Sequence, residues 1–382
     1  MRIGSKPCRR LESAAECRQQ KGGSAVVSSE PVVVAEPSLA NRSISPACPA
    51  DPRPANPAWS KGGAAFALAI VFVMSVAFLV LSATGDGDKW RGAIGRVHPA
   101  LLFVLLALAL ASFAARALRF HWFARAIGIE IPVGWMVLCY FAGFSLAATP
   151  GKVGEFMRLW LIRSRYGYSV SRSMPLQIAD RLNDAVASFI LCAIGAAAFA
   201  GYLPFLLFAA CLIGLCVLAF ACPALLLAVI GLAYRLLAIR PRLFASLRRM
   251  VRLTATLFAP RVFLPTIALS LLGWGLECIA FAICLTAVAG VFDPLLAMFI
   301  LEFSNVVGFA SFMPGGTGMT ELSLSGLMVA SGVGLEDAVT VTVIIRAATM
   351  WFSILVGIAA AAVLARLDRW HATSAVRAFS RP

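Results

Sequence analysis

Residues 293–331 read DPLLAMFILEFSNVVGFASFMPGGTGMTELSLSGLMVAS. The stretch 293–313 is apolar and shows no alternation, so it is a helix and not a barrel strand. It stops at Met313-Pro314-Gly315. Proline removes a helical N–H, and glycine frees the backbone to turn. A semi-polar helix is expected to return over about 318–331. Helix, Pro-Gly break and returning helix make a re-entrant hairpin. A membrane tolerates one only where protein buries it or where it lines a cavity.

The rest of the chain fits that reading. Of 382 residues, 60% are hydrophobic and 13% charged, with a mean hydropathy of +0.87. Soluble domains are nearer half apolar and a quarter charged. Water-soluble enzyme folds are excluded, and the fold class is an all-α polytopic membrane protein. Further apolar runs lie at about 64–84, 99–118, 134–149, 174–200, 203–238, 262–288 and 337–365. A spanning helix needs roughly 20 residues. About eight transmembrane segments are expected, two of them re-entrant hairpins. Run 203–238 is too long for one ordinary span; it reads as one long, tilted and kinked helix that projects into the cytoplasm, or as two short spans turning at Pro223. Residues 1–60 are rich in Pro, Ser and Ala and read as a disordered tail. No signal peptide is read ahead of 64–84, which is taken as an uncleaved first helix. The membrane domain covers 61–366, and 367–382 form a cytoplasmic tail.

The net charge is +15. The excess falls between apolar runs, which is the positive-inside pattern and not a nucleic-acid footprint. Four clusters should be cytoplasmic: Arg116, Arg119 and Arg125; Arg163, Arg165 and Arg172; Arg235 to Arg261; and Arg366 to Arg381. The loops near Gly201, Asp293 and Glu336-Asp337 carry no Lys or Arg and should lie outside. Both termini are then cytoplasmic. None of the ten cysteines forms a C-x-x-C pair, and His98, His121 and His371 are far apart, so no metal or other cofactor is expected.

A second break precedes the first in sequence. Run 134–149 ends at Thr149-Pro150-Gly151, and an amphipathic segment follows over 152–168. The two breaks read Pro150-Gly151-Lys152-Val153-Gly154 with Glu155, and Pro314-Gly315-Gly316-Thr317-Gly318 with Glu321. A glycine follows each, Gly167 and Gly332, and then an intramembrane arginine, Arg181 and Arg346. Four matched elements in one order indicate a duplication, about 99–200 and about 262–365. The loop charges send the first hairpin in from the cytoplasm and the second from outside, so the repeat is inverted. In transporters of that plan the site lies where the broken helices meet.

Charge inside a membrane costs several kcal/mol unless paired or hydrated. Asp180, Arg181 and Asp184 fall within one run, Asp180 and Asp184 one helical turn apart; Arg346, Glu277 and Glu302 also lie in apolar segments. Asp184 and Glu277 also suit structural salt bridges. The candidate substrate-binding set is Glu155, Arg158, Asp180, Arg181, Asp184, Gly315, Gly316, Gly318, Glu321 and Arg346. Guanidinium binds phosphate as a bidentate fork. Break glycines allow a ligand to approach the backbone, and the helix N-termini after them offer free N–H groups. Thr317, Thr320 and Ser323 suit helix capping. The stretch 241–258 reads as an amphipathic helix on the inner leaflet.

These motifs resemble the transmembrane flippase domain of lysylphosphatidylglycerol synthases and the stand-alone flippase-like membrane proteins. The resemblance rests on Pro150 to Glu155 with Arg158, on Asp180-Arg181 with Asp184, and on Pro314 to Gly318 with Glu321, across about 64–366. The family often has Glu where this chain has Asp180, and Arg where it has Thr320. About 16 residues follow the last helix, so the aminoacyl-transferring domain is not expected.

The resemblance implies a bacterial inner-membrane translocase for an anionic or modified lipid: a phospholipid, a polyprenyl-phosphate-linked lipid or a hopanoid-type lipid. Arg181 and Arg346 would neutralise phosphate, and Glu155 and Glu321 would hold them or carry a proton. Partners would be membrane lipids and lipid-biosynthesis enzymes. The rival readings are a non-transporting partner of a lipid-biosynthesis or envelope-assembly complex and an intramembrane lipid-phosphate enzyme. No H-e-x-x-H pattern or nucleotide-binding loop supports catalysis or direct ATP use.

Overall fold

The computed structural model describes residues 98–147, 155–196, 223–237, 241–311 and 313–379, with isolated positions between 197 and 222. The expected tail over 1–60, the first helix at 64–84, the turn Pro150–Gly154, the loop at Gly201 and most of 203–222 lie outside the described residues.

The described residues are helical, with no strand among them. Helix α1 spans Pro99–Ala126, α2 Val133–Ala142 with a 3-10 extension to Leu146, α3 Met157–Tyr166 and α4 Val170–Ala196. Then come α5 (Pro223–Leu237), α6 (Pro241–Leu257), α7 (Pro260–Ala289), α8 (Pro294–Ala310) and α9 (Met319–Ala330). Helix α10 (Leu335–Arg346) passes through a π-turn, Ala347–Trp351, into α11 (Phe352–Phe379). Among the described residues, three helical stretches are long and apolar enough to cross a membrane: α1, α7 and Leu335–Leu367. At 1.5 Å per residue the 28 residues of α1 rise about 42 Å, more than a hydrocarbon core. Shorter apolar helices include 133–146, α8 and α9. Large side chains such as Phe103, Leu264, Leu322 and Leu355 point outward, as on a lipid-facing surface. The chain is a multi-pass membrane protein.

Helix boundaries follow local chemistry. Pro99, Pro260 and Pro294 open helices at their first turn, where the missing N–H costs nothing. Asp293 caps α8 by accepting from the N–H groups of Leu295 and Leu296. Gly128, Gly167, Gly290 and Gly332 follow α1, α3, α7 and α9 at φ of +70°, +71°, +70° and +92°. That left-handed backbone is what glycine supplies at helix ends.

Helices α1 and α7 pack along one another. Gly273 of α7 admits Ser112 and Arg116 of α1 at their crossing. Helix α4 packs on α8, where a Cβ on Gly195 would come within 2.6 Å of Phe299 N and 2.7 Å of Leu295 O. Helix α11 packs on α2 and its 3-10 extension, where Gly357 meets the backbone of Phe141 to Ser145. Two large apolar cores result among the described residues, beside a small one at Met350 and Ile354. One gathers Phe281, Leu296, Phe299 and Val341; the other gathers Phe113, Phe120, Phe123, Tyr140 and Leu364.

Candidate functional site

The sequence placed Arg116 and Arg119 in a cytoplasmic loop, and the structure corrects this. No glycine or proline interrupts the chain between Pro99 and Gly128, so α1 runs on past the apolar stretch and carries both arginines with it. Both are buried. Arg119 makes ion pairs with Asp180 and Asp184 of α4, and its Nη1 donates to Ser270 Oγ of α7 at 2.6 Å. Arg116 pairs with Glu277 of α7 and lies 4.4 Å from the centre of the Trp274 ring. Ser112 Oγ donates to the same Glu277 oxygen at 3.0 Å. Only Arg125 of that cluster is exposed.

Asp180 is the hub of the first site. Its Oδ1 takes Arg119, and its Oδ2 lies 2.9 Å from Arg181 Nη2 and 3.3 Å from Arg158 Nη1. Arg158 enters from α3. Its guanidinium carbon lies 3.7 Å from the Tyr140 ring centre, and its Nε donates to the Tyr140 carbonyl at 3.1 Å. Gly143 leaves the room for this side chain, since a Cβ there would collide with it. Glu155, at the start of the returning segment, sits 3.0 Å from Arg181 Nη2 and accepts from Gln177 Nε2 at 3.1 Å. Asp184 lies 3.1 Å from Arg181 and accepts from Trp274 Nε1 at 3.0 Å.

Four arginines (116, 119, 158, 181) thus meet four carboxylates (155, 180, 184, 277) in a buried, electrically balanced set. Burying such charges is tolerable only with that degree of pairing and hydrogen bonding. Arg181 is the outlying member. Its side chain is 26% exposed, while those of the other three arginines are at 9% or less. Arg158 Nη2, Arg181 Nε and Gln177 Oε1 have no hydrogen-bond partner among the described residues.

The second site is simpler. Helices α8 and α9 pack as a hairpin about the break 313–318. Gly315, Gly316 and Gly318 all take positive φ there, at +62°, +69° and +87°. Thr320, read as a capping residue, instead wedges its hydroxyl between Gly308 and Gly316, where a Cβ on either glycine would collide with it. The cap comes from Glu321, whose Oε2 accepts from the Gly318 N–H at 2.6 Å. The other Glu321 oxygen accepts from Arg346 Nε at 2.7 Å, and Arg346 Nη2 donates to the Gly315 carbonyl at 3.1 Å. The Arg346 side chain is 14% exposed, and the π-turn begins at the next residue.

The ten candidate residues therefore fall into two clusters: Glu155, Arg158, Asp180, Arg181 and Asp184 in one, and Gly315, Gly316, Gly318, Glu321 and Arg346 in the other. Sequence reading missed Arg116, Arg119, Tyr140, Gln177 and Trp274. The helical spacing of Ser112, Arg116 and Arg119 was the available signal for α1. No curated protein is significantly similar to the chain. Residues 64–357, a stretch that holds both clusters and nearly all of the helices that build them, match the lysylphosphatidylglycerol synthase TM region, and the chain belongs to that family.

Proposed function

We propose that this chain is a lipid translocase, a carrier and not an enzyme, which moves an anionic or modified lipid between the leaflets of a bacterial inner membrane. The observation that carries the reading is the pair Arg181–Glu155 and Arg346–Glu321. Each joins a partly exposed arginine to the glutamate that follows a hairpin break. A guanidinium held by a carboxylate and still reachable can exchange part of that contact for a phosphate. The unpartnered Arg158 Nη2 and Arg181 Nε supply further donors for such a head group.

An inverted repeat with about eight membrane segments, two of them re-entrant, is part of the proposal. Three packing relations support it. The first helices of the two halves, α1 and α7, lie together. Helix α4 of the first half docks on the hairpin of the second through Gly195. Helix α11 of the second half docks on the hairpin of the first through Gly357. Gly167 and Gly332 stand fourteen positions before Arg181 and Arg346 respectively, both with left-handed backbone.

The test is reconstitution of the full chain in phospholipid vesicles containing head-group-labelled phosphatidylglycerol, followed by quenching from outside. Quenching beyond the outer-leaflet half, at a rate that scales with protein, is the expected result. Quenching that stops at half, for phospholipid and polyprenyl-phosphate probes alike, removes the translocase reading.

A further inference from the structure

Glu302 belongs to neither cluster. It lies on α8, fully buried, and no cation is within ion-pair distance among the described residues. Its Oε1 accepts a weak hydrogen bond from the Cys278 thiol of α7 at 3.4 Å, and its Oε2 has no donor in hydrogen-bond geometry. Ser188 of α4 and Asn305 of its own helix approach it as further polar neighbours, and Cys192 of α4 faces it as well. Arg116 of α1, whose charge reaches it, is engaged by Glu277. The carboxylate of α9, Glu321, is engaged by Arg346. The balanced network leaves no spare positive charge for a further carboxylate.

A buried carboxylate with no cation beside it carries a desolvation cost that a neutral acid largely avoids. A cavity of about 640 Å³ opens between α4, α7 and α8, with an apolar lining that includes Leu191, Ile279, Ala282 and Met298 and does not favour water in this conformation. Cys278 lines the same cavity and is the residue hydrogen-bonded to Glu302, and Met298 stands one turn before it on α8.

We infer that Glu302 is a proton-exchange site of the membrane domain, carrying its proton in this conformation and releasing it in one that admits water beside Cys278. In release the helices part to let water in, the Oε–H bond breaks, the water takes the proton as hydronium, and the carboxylate remains until it is reprotonated. The claim that this exchange drives transport rests on the translocase reading; the claim of a protonated carboxyl does not.

The experiment has two arms on the full chain in phosphatidylglycerol–phosphatidylethanolamine vesicles. Infrared difference spectra at neutral pH should show a protonated-carboxyl stretch that is lost in Glu302→Gln and kept in Glu336→Gln, an exposed carboxylate. Cys278→Ala should shift that band, which keeps the site testable where Glu302→Gln fails to fold. In the second arm an imposed pH gradient should change the rate of labelled-lipid movement in the wild type and lose that effect in Glu302→Gln. A missing band, or one unmoved by both variants, overturns the proton site whatever the transport result. A gradient response equal in wild type and Glu302→Gln overturns the coupling while translocation stands. If the wild type moves no lipid, the translocase and its coupling fall together, and the band alone decides the site.

Discussion

Arg346 holds Glu321 by one oxygen only: Nε donates to Oε1 at 2.7 Å, while Oε2 closes the turn by accepting the Gly318 N–H at 2.6 Å. One carboxylate therefore both anchors the arginine and caps α9. Glu321→Gln can still accept once, but its amide nitrogen cannot replace the second acceptor. Loss of a buried partner leaves a donor unsatisfied at a cost of about 1–3 kcal/mol. The expected result is a lower unfolding temperature in detergent, with the helical circular dichroism signal kept before the transition. An unchanged transition would mean that the cap and the ion pair are separable.

Asp180 is approached by three guanidinium groups, and its loss should be the most damaging single change in the first cluster. Asp180→Asn keeps the shape but removes the charge that Arg119, Arg158 and Arg181 share. Breaking a buried pair from one side costs about 3–5 kcal/mol. Arg119 keeps Asp184 and Arg181 keeps Glu155, so the expected loss lies at the lower end of that range. Thermal unfolding of Asp180→Asn beside Asp184→Asn measures it, and an Asp180 variant as stable as wild type would deny the hub its structural role.

The helix docking can be tested by adding single methyl groups. A Cβ at Gly195 would come within 2.6 Å of the α8 backbone, and one at Gly357 would meet the backbone of the α2 extension. Backbone cannot swing aside as a side chain does. Overpacking of this kind costs about 1–3 kcal/mol or more. Gly195→Ala and Gly357→Ala should each lower stability, whereas Gly326→Ala, with no atom near its added Cβ, should not. Equal unfolding temperatures across the three would show that the helices separate at little cost.

Much of this arrangement is legible in residue order. The helix ends at Gly167, Gly290 and Gly332 follow from glycine at the close of helical patterns. Matched spacing across the two breaks gives Arg181 and Arg346 a glutamate partner from the breaks, and packing decides that Arg181 meets Glu155 and Arg346 meets Glu321. Arg116 and Arg119 are the instructive failure. Counting basic residues at the end of an apolar run treats each as a solvated loop charge. Their partners Glu277, Asp180 and Asp184 stand on other helices, far along the chain, and only tertiary packing brings them together. Trp274 is illegible for the same reason, since its hydrogen bond to Asp184 and its stacking under Arg116 span three helices.

The arginines that carry the functional proposal are separated from structural ones by comparing lysine with leucine at both positions. Lys at 346 keeps the charge, but its point-like ammonium does not reproduce the planar fork that serves both Glu321 and the Gly315 carbonyl. Lys at 181 likewise replaces a nitrogen that lies within 2.9–3.1 Å of Glu155, Asp180 and Asp184. Both Lys variants should fold and both should move lipid more slowly, by roughly tenfold for each 1.4 kcal/mol of lost head-group contact in the rate-limiting state. The Leu variants should differ from each other in stability. Arg346→Leu leaves Glu321 without its cation and should cost about 3–5 kcal/mol. Arg181→Leu leaves Glu155 with Gln177 and with Arg158 at 3.7 Å, so it should cost less. Unfolding temperatures in detergent and quenching rates in vesicles, read together on the four variants, check both orders. Wild-type transport in Arg181→Lys and Arg346→Lys would assign the two arginines to holding the hairpins and remove them from head-group recognition.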